Sequence, residues 1–126
     1  MDTTILVDKQ YEDGKKLIQK LDGQGKKYPI IAWINLPDKS GWTLLFGVPN
    51  LNATGAKETF KNFHNLIIKN NIEVSLNDIS LVDTSDDICK SLRTAIKTGF
   101  GLSKISFFGN FINGHRFPDS IIYRVN

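Results

Sequence analysis

The dipeptide Asn113-Gly114 constrains the fold of this chain more than any other feature, because it separates two strand-like runs, residues 104–112 and 115–125. Asn-Gly readily adopts the two positive φ angles of a type I′ turn, whose twist matches that of paired antiparallel strands. The sequence therefore predicts a β-hairpin at the end of the chain.

The composition predicts one globular domain spanning residues 1–126. Hydrophobic residues make up 40% of the sequence, which is enough for a single core at this length. No apolar run approaches the ~20 residues that a transmembrane helix needs, so we expect a cytoplasmic protein with no membrane contact. The lone Cys89 fits that compartment, since one thiol cannot form an internal disulfide, and we interpret it as a buried helix residue rather than a nucleophile.

Apolar periodicity and turn residues predict the element order helix, strand, strand, helix, strand, helix, strand, strand. The first helix covers residues 5–22, the second ends at Asn70, and the third runs from Asp86 to about Thr98, where Gly99 ends it. The predicted strands cover residues 30–36, 42–48, 79–82, 104–112 and 115–125.

This order predicts the α+β class, with a mixed sheet of about five strands and helices mainly on one face. The two strand-helix-strand passages predict crossover connections, and the face without helices is the expected place for function. Pro118 cannot donate a ladder hydrogen bond, and Gly109 lies nearly opposite it, so we also predict a bulge or an edge position within the last hairpin.

The C-terminal pattern resembles a known family. The run of six residues beginning at Gly109 and ending at Gly114, followed by Ile122, Tyr123 and Arg124, is similar to the endings of a family of small uncharacterised bacterial proteins. The similarity covers the second half of the chain well and the first half loosely. It implies a small bacterial domain and carries no catalytic residue over to this sequence.

The sequence offers little material for catalysis, and we predict no catalytic residue. His64 and His115 are its two histidines, and His64 is interpreted as a boundary residue of the second helix. A set of Ser120, His115 and Asp119 fails as a nucleophile, base and acid, because residues i and i+4 on one strand lie ~13 Å apart. The segment 97–101 also fails as a phosphate loop, because its glycines follow a helix instead of opening one, so we predict no cofactor.

Three neighbouring carboxylates, Asp83, Asp86 and Asp87, leave two interpretations open. Three such oxygens could hold Mg²⁺ and would support a metal-dependent hydrolase. Capping is the favoured interpretation, because carboxylates in the first turn of the third helix interact favourably with its dipole. We therefore predict no metal ligand among them and keep the hydrolase as a second alternative.

The basic C-terminus is the candidate binding region. From residue 90 onward there are six basic residues and one acidic residue, whereas the first 89 residues carry a slight acidic excess. The hypothesis is a non-enzymatic interaction domain whose last hairpin and adjacent basic surface dock an acidic protein partner. The alternative is single-stranded nucleic acid bound by stacking on the same surface, and homo-oligomerisation stays open. The candidate binding residues are Lys97, Lys104, His115, Arg116, Tyr123 and Arg124.

Overall fold

The computed structural model describes residues 6, 8–36, 41–112 and 114–126. Its helices are α1 (Asp8–Gly23), α2 (Leu51–Thr54), α3 (Ala56–Lys69) and α4 (Asp87–Ala95). Its strands are β1 (Ile30–Ile34), β2 (Thr43–Val48), β3 (Ile79–Asp83), β4 (Ile105–Phe107), β5 (Phe111–Ile112), β6 (His115–Arg116) and β7 (Ser120–Val125). The predicted α+β class is confirmed. None of the helices in this part of the chain is long and apolar enough to cross a membrane.

The five-stranded sheet has the order β3-β2-β1-β7-β4. β2 and β3 are parallel and are connected through α2 and α3, while the other neighbouring pairs are antiparallel. The mixed sheet is therefore confirmed. The second predicted crossover is wrong, because β4 lies at the edge opposite β3 and runs antiparallel to it.

Both faces of the sheet are covered. The two long helices, α1 and α3, lie on one face, where Leu17 and Phe63 join the larger core cluster. On the other face, Leu92 of α4 and Phe117 beside β6 belong to a second cluster. The expectation of a bare face is therefore wrong, and β1, β2 and β7 are buried along their whole length.

The packing of α4 depends on a glycine in β2. A Cβ on Gly47 would lie 3.0 Å from Sγ of Cys89 and 2.9 Å from Cβ of Ile30. A larger residue would therefore push α4 off the sheet. The helix ends at Ala95, earlier than predicted, because Thr98 beyond it bonds to Val125 in an extended segment beside β7.

The predicted terminal hairpin is present, and it is interrupted once. Ile105 pairs with Ile122 at its base and Ile112 pairs with His115 near its tip, in one unbroken register. In that register Gly109, whose φ is +64°, lies opposite Pro118, where the ladder stops and resumes. The sequence predicts a bulge or an edge position at these two residues; the unbroken register contains no bulge here, and the two residues instead mark a break in the ladder. Asn113 lies outside the described residues, so the type I′ turn stays a prediction.

The interruption lets the two halves of the hairpin join different sheets. β4 and β7 belong to the large sheet, whereas β5 and β6 form a separate two-stranded ribbon. Ile112 and Phe117 bury this ribbon against the same core cluster as α4, and the ring of Phe117 meets that of Phe107 edge to face at 5.7 Å. The tip of the hairpin thus covers part of the face that was expected to be bare.

β7 contains a bulge that decides where its last side chains lie. The β1–β7 register pairs Ile31 with Arg124 but Ala32 with Ile122, so Tyr123 is an extra residue in β7. A bulge of this kind places two successive side chains on one side of the sheet. Tyr123 and Arg124 therefore both lie on the face covered by α1.

Candidate interaction surface on the terminal hairpin

Arg124 is a buried structural residue and not an exposed cation. Its side chain is 1% exposed and donates two hydrogen bonds to the carboxylate of Asp22 in α1, at 2.7 and 3.2 Å. It also donates to the backbone carbonyls of Tyr28 and Phe100, at 3.1 and 2.8 Å. The sequence-based expectation that Arg124 faces a partner is wrong, because the bulge turns it toward α1.

Tyr123 is also buried and belongs to an internal hydrogen-bond network. Its hydroxyl donates to the carbonyl of Tyr11 and accepts from Nε1 of Trp33 at 2.9 Å, and its ring stacks on that of Tyr11 at 4.6 Å. Burial raises the pKa of the Tyr123 hydroxyl far above its usual range. The expectation that Tyr123 contributes to a binding surface is therefore wrong.

Lys104 and Lys97 lie in two further places. Nζ of Lys104 is 3.7 Å from a carboxylate oxygen of Asp8 and 4.6 Å above the ring of Tyr11, so this cation lies on the α1 side of the sheet. Lys97 is exposed in the extended segment beyond α4. The six candidate residues therefore form no single surface, and the expected shared cationic face is wrong.

The exposed part of the terminal hairpin brings an aromatic ring and a cation together. Phe111 pairs directly with Arg116 across β5 and β6, so their side chains project on the same side of the ribbon. Both are exposed, and so are Phe108 and His115. His115 pairs with Ile112 and therefore projects on the opposite side of the ribbon, the side that faces the core. We call Phe108, Phe111 and Arg116 the hairpin-tip surface.

The exposure of Phe111 is unusual for a ring of that size. Its relative exposure is 68%, and Phe108 and Phe100 are 44% and 48% exposed. Together with Ile68 on α3, these are the large apolar side chains that the described residues leave in solvent. The three rings fall within twelve residues of sequence, and Phe108 and Phe111 flank the break at Gly109 in the terminal hairpin.

Arg116 is only partly neutralised by its neighbours. Its guanidinium lies 3.4 Å from a carboxylate oxygen of Asp119, and that same oxygen accepts the backbone N–H of Gly109 at 3.0 Å. An exposed ion pair of this length contributes little to stability. The cation is therefore available to a second carboxylate.

Sequence reasoning missed Phe108 and Phe111 as candidate site residues. The available signal was the register set by the Asn-Gly turn, which places Phe111 opposite Arg116 once residues 113–114 are taken as the two turn residues. Strand alternation alone does not reveal this arrangement, because the alternation of buried and exposed side chains fails where the ladder is interrupted.

The acidic residues after β3 have capping roles. Asp83 accepts the backbone N–H groups of Leu51 and Ser85, at 2.8 and 2.9 Å, and these bonds with the Ser85 hydroxyl lower the pKa of its carboxyl. Asp86 is the N-cap of α4 and accepts from the N–H of Ile88 at 3.1 Å. Asp87 lies in the first turn of α4. Within the described residues no three potential ligands cluster in a metal-binding arrangement.

Cys89 lies in α4 and is buried, and burial raises the pKa of its thiol to about 11. A thiol with that pKa is almost entirely protonated near neutral pH, and the thiolate is the reactive form. Its environment therefore suits the structural role that the sequence predicted.

Comparison of the chain with protein-family models, curated proteins and solved structures found no match. The resemblance of its C-terminal pattern to a bacterial family stays a prediction.

Proposed function

We propose that this protein is a non-catalytic interaction domain that docks an acidic protein partner through the hairpin-tip surface. The observation that carries the proposal is the pairing of Phe111, which is 68% exposed, with the exposed Arg116 on a ribbon whose other side is anchored in the core. Aromatic residues, Phe among them, and arginine are enriched in protein interfaces relative to the rest of the surface.

The anchoring of the ribbon favours binding. Ile112 and Phe117 hold β5 and β6 against the second core cluster, so the exposed side chains project from a packed support. A surface that is ordered before binding loses less conformational entropy when a partner docks. Most of the free energy gained by burying the exposed rings can therefore contribute to affinity.

The charge of the region favours an acidic partner. The last 37 residues carry six basic residues and one acidic residue, and only Arg124 among those cations is withdrawn into the interior. Arg116 places a positive charge beside Phe111, and the net charge of +3 on the whole chain would accelerate encounter with an acidic segment.

A labelled peptide in which glutamates alternate with leucines provides the test, with binding followed by fluorescence polarisation. Phe111→Ser should weaken binding by about thirtyfold, because loss of a buried aromatic anchor removes about 2 kcal/mol. Arg116→Glu should also weaken binding, and its effect should be larger at low salt than at high salt. Ile68→Ser is the matched apolar control, since Ile68 is 64% exposed on α3, and Lys61→Glu is the matched charge control.

The result that overturns the proposal is equal binding by the Phe111 and Ile68 variants, or no saturable binding at all. Tight binding of labelled oligothymidine instead, with steep salt dependence, would assign the surface to single-stranded nucleic acid. The urea midpoints of all four variants should match that of the unaltered protein, because each side chain is exposed.

A further inference from the structure

The outer edge of β3 carries backbone hydrogen-bonding groups that are not paired by any residue in the described part of the chain. β3 is the terminal strand of the sheet and pairs with β2. The N–H of Thr84 donates to the carbonyl of Val48 at 3.2 Å, and this bond shows which residues of β3 direct their backbone groups toward β2. Because the direction of backbone groups alternates along a strand, Ser80, Val82 and Thr84 turn theirs toward β2, and the residues between them turn theirs outward.

Local hydrogen bonds satisfy the outward-facing groups at the two ends of β3. The N–H of Ile79 bonds to the carbonyl of Leu76, and the carbonyl of Asp83 accepts from Asp86. Within the described residues, the groups left toward the open edge are the carbonyl of Ile79, both backbone groups of Leu81, and the N–H of Asp83. They form a template of the length that a short extended segment would occupy.

This edge has less of the usual protection against pairing than the opposite edge of the sheet. β4, at the other edge of the sheet, is three residues long, follows Lys104 and leads to the interruption at Gly109. β3 has five residues, no proline, no bulge and no lysine. Short length, lysine and irregularity are the devices that prevent edge-to-edge association, so β3 is open by comparison.

The exposure of β3 agrees with an open edge. After the buried Ile79, its remaining residues are half-buried, whereas β2 beside it is buried throughout. Leu81 packs partly against one core cluster and Val82 partly against the other. An added strand would complete the burial of both side chains.

The charge around the edge identifies the chemistry of the segment that fits. Asp78 precedes β3 directly, and Asp83, Asp86 and Asp87 lie at its other end, while the sequence has no Lys or Arg from residue 70 to residue 89. We propose that β3 binds an extended protein segment carrying Lys or Arg at both ends, which adds a sixth strand to the sheet by backbone hydrogen bonding.

The same charges disfavour a second copy of this chain. Antiparallel pairing of two β3 strands about Leu81 would bring Asp78 of each copy beside the acidic end of the other. Like charges facing each other across a strand pair are destabilising. A segment with basic residues at both ends would be attracted to the acidic residues at both ends of β3, whether it bound parallel or antiparallel. The surface is separate from the hairpin tip, and this proposal does not depend on the proposed function.

The test uses a labelled Lys-Lys-Thr-Val-Thr-Val-Thr-Lys-Lys peptide. Polarisation should show saturable binding, and amide hydrogen exchange by NMR should show new protection at Leu81 and Asp83, whose N–H groups point outward. A version N-methylated at its central residues keeps its charge and side chains but cannot donate, so it should bind at least about tenfold more weakly. A version with Glu in place of every Lys should not bind.

Variants of the protein test separately the backbone hydrogen bonding of the β3 edge and the acidic charges around it. Leu81→Pro removes the outward N–H, and Leu81→Ala, which loses comparable side-chain packing, is its control. Asp78→Asn with Asp87→Asn should weaken binding about fivefold, since each exposed ion pair contributes less than tenfold, with Glu12→Gln as the control.

Three results would overturn the proposal. One is equal binding of the N-methylated and unmodified peptides, and another is protection confined to the hairpin tip. The third is sedimentation showing a dimer of the peptide-free protein that Leu81→Pro dissociates, since the occupant would then be a second copy. The N-methylated peptide keeps the test valid if Leu81→Pro does not fold.

Discussion

Removing Asp22 should destabilise this protein far more when Arg124 is present than when it is absent. Arg124 is 1% exposed, and Asp22 is the carboxylate that balances its charge. Asp22→Ala leaves a buried guanidinium without a counter-ion, which costs about 3–5 kcal/mol. That is a large share of the roughly 5–15 kcal/mol by which a domain is stable.

The reverse change has a different physical cost. Arg124→Met removes the cation and leaves the carbonyls of Tyr28 and Phe100 without their donor, while the side chain of Asp22 is 21% exposed and can be hydrated. The expected loss is about 2–4 kcal/mol, from two unsatisfied acceptors. In the Arg124→Met background, Asp22→Ala should add little, so the coupling energy between the two positions should be about 3 kcal/mol.

The assay is urea unfolding of the unaltered protein, both single variants and the double variant, followed by tryptophan fluorescence and by circular dichroism. Coincident transitions and equal m-values are needed for the free energies to be compared. A coupling energy below about 0.5 kcal/mol would refute the argument, because it would mean that Arg124 is not held as a buried ion pair.

Three further changes probe the interior and the caps. Gly14→Ala should destabilise by about 1–3 kcal/mol in urea unfolding, because a Cβ at this position would clash with the hydroxyl of Tyr123. The pKa of the Cys89 thiol is raised from 9.0 to about 11 in the folded state. The protonated thiol therefore contributes fully to stability below pH 9, and this contribution is lost as the pH rises toward 11. Across that range the melting temperature of Cys89→Ala should fall less than that of the unaltered protein. Asp86→Ala removes the N-cap of α4 and should cost about 1 kcal/mol, whereas Asp86→Asn should cost less, and an equal loss for both would contradict the capping role.

The features that the sequence predicted correctly are local ones. The second predicted helix corresponds to α3, Asp86 caps α4, and Gly109 with Pro118 marks an irregularity in the terminal hairpin. In each case the cause lies within a few residues of its effect. Helical periodicity, a capping carboxylate and a residue without an N–H act in the same way wherever the surrounding chain goes.

The features that the sequence did not reveal depend on long-range pairing. Strand alternation would place Tyr123 and Arg124 on opposite faces, and the bulge that puts them on one face exists only in the pairing of β7 with β1. The partner of Arg124, Asp22, is 102 residues away in sequence. Counting cations in the C-terminal segment therefore overestimated the exposed charge, because burial is decided by which strands meet.

The second face of the sheet was also beyond local reasoning. Ile112 and Phe117 had the same apolar character as the exposed Phe111, and the folding of the ribbon over the sheet decided which of them became core. The candidate site consequently moved from a broad basic face to the small hairpin-tip surface.

An NMR titration of the ¹⁵N-labelled protein with the glutamate-leucine peptide tests the central claim most directly. If the hairpin tip is the docking surface, the largest amide shifts will fall within residues 108–116, and residues 79–83 of β3 will stay unchanged. Shifts concentrated on α3 or β3, or no shifts at a peptide concentration that saturates the polarisation signal, would contradict it.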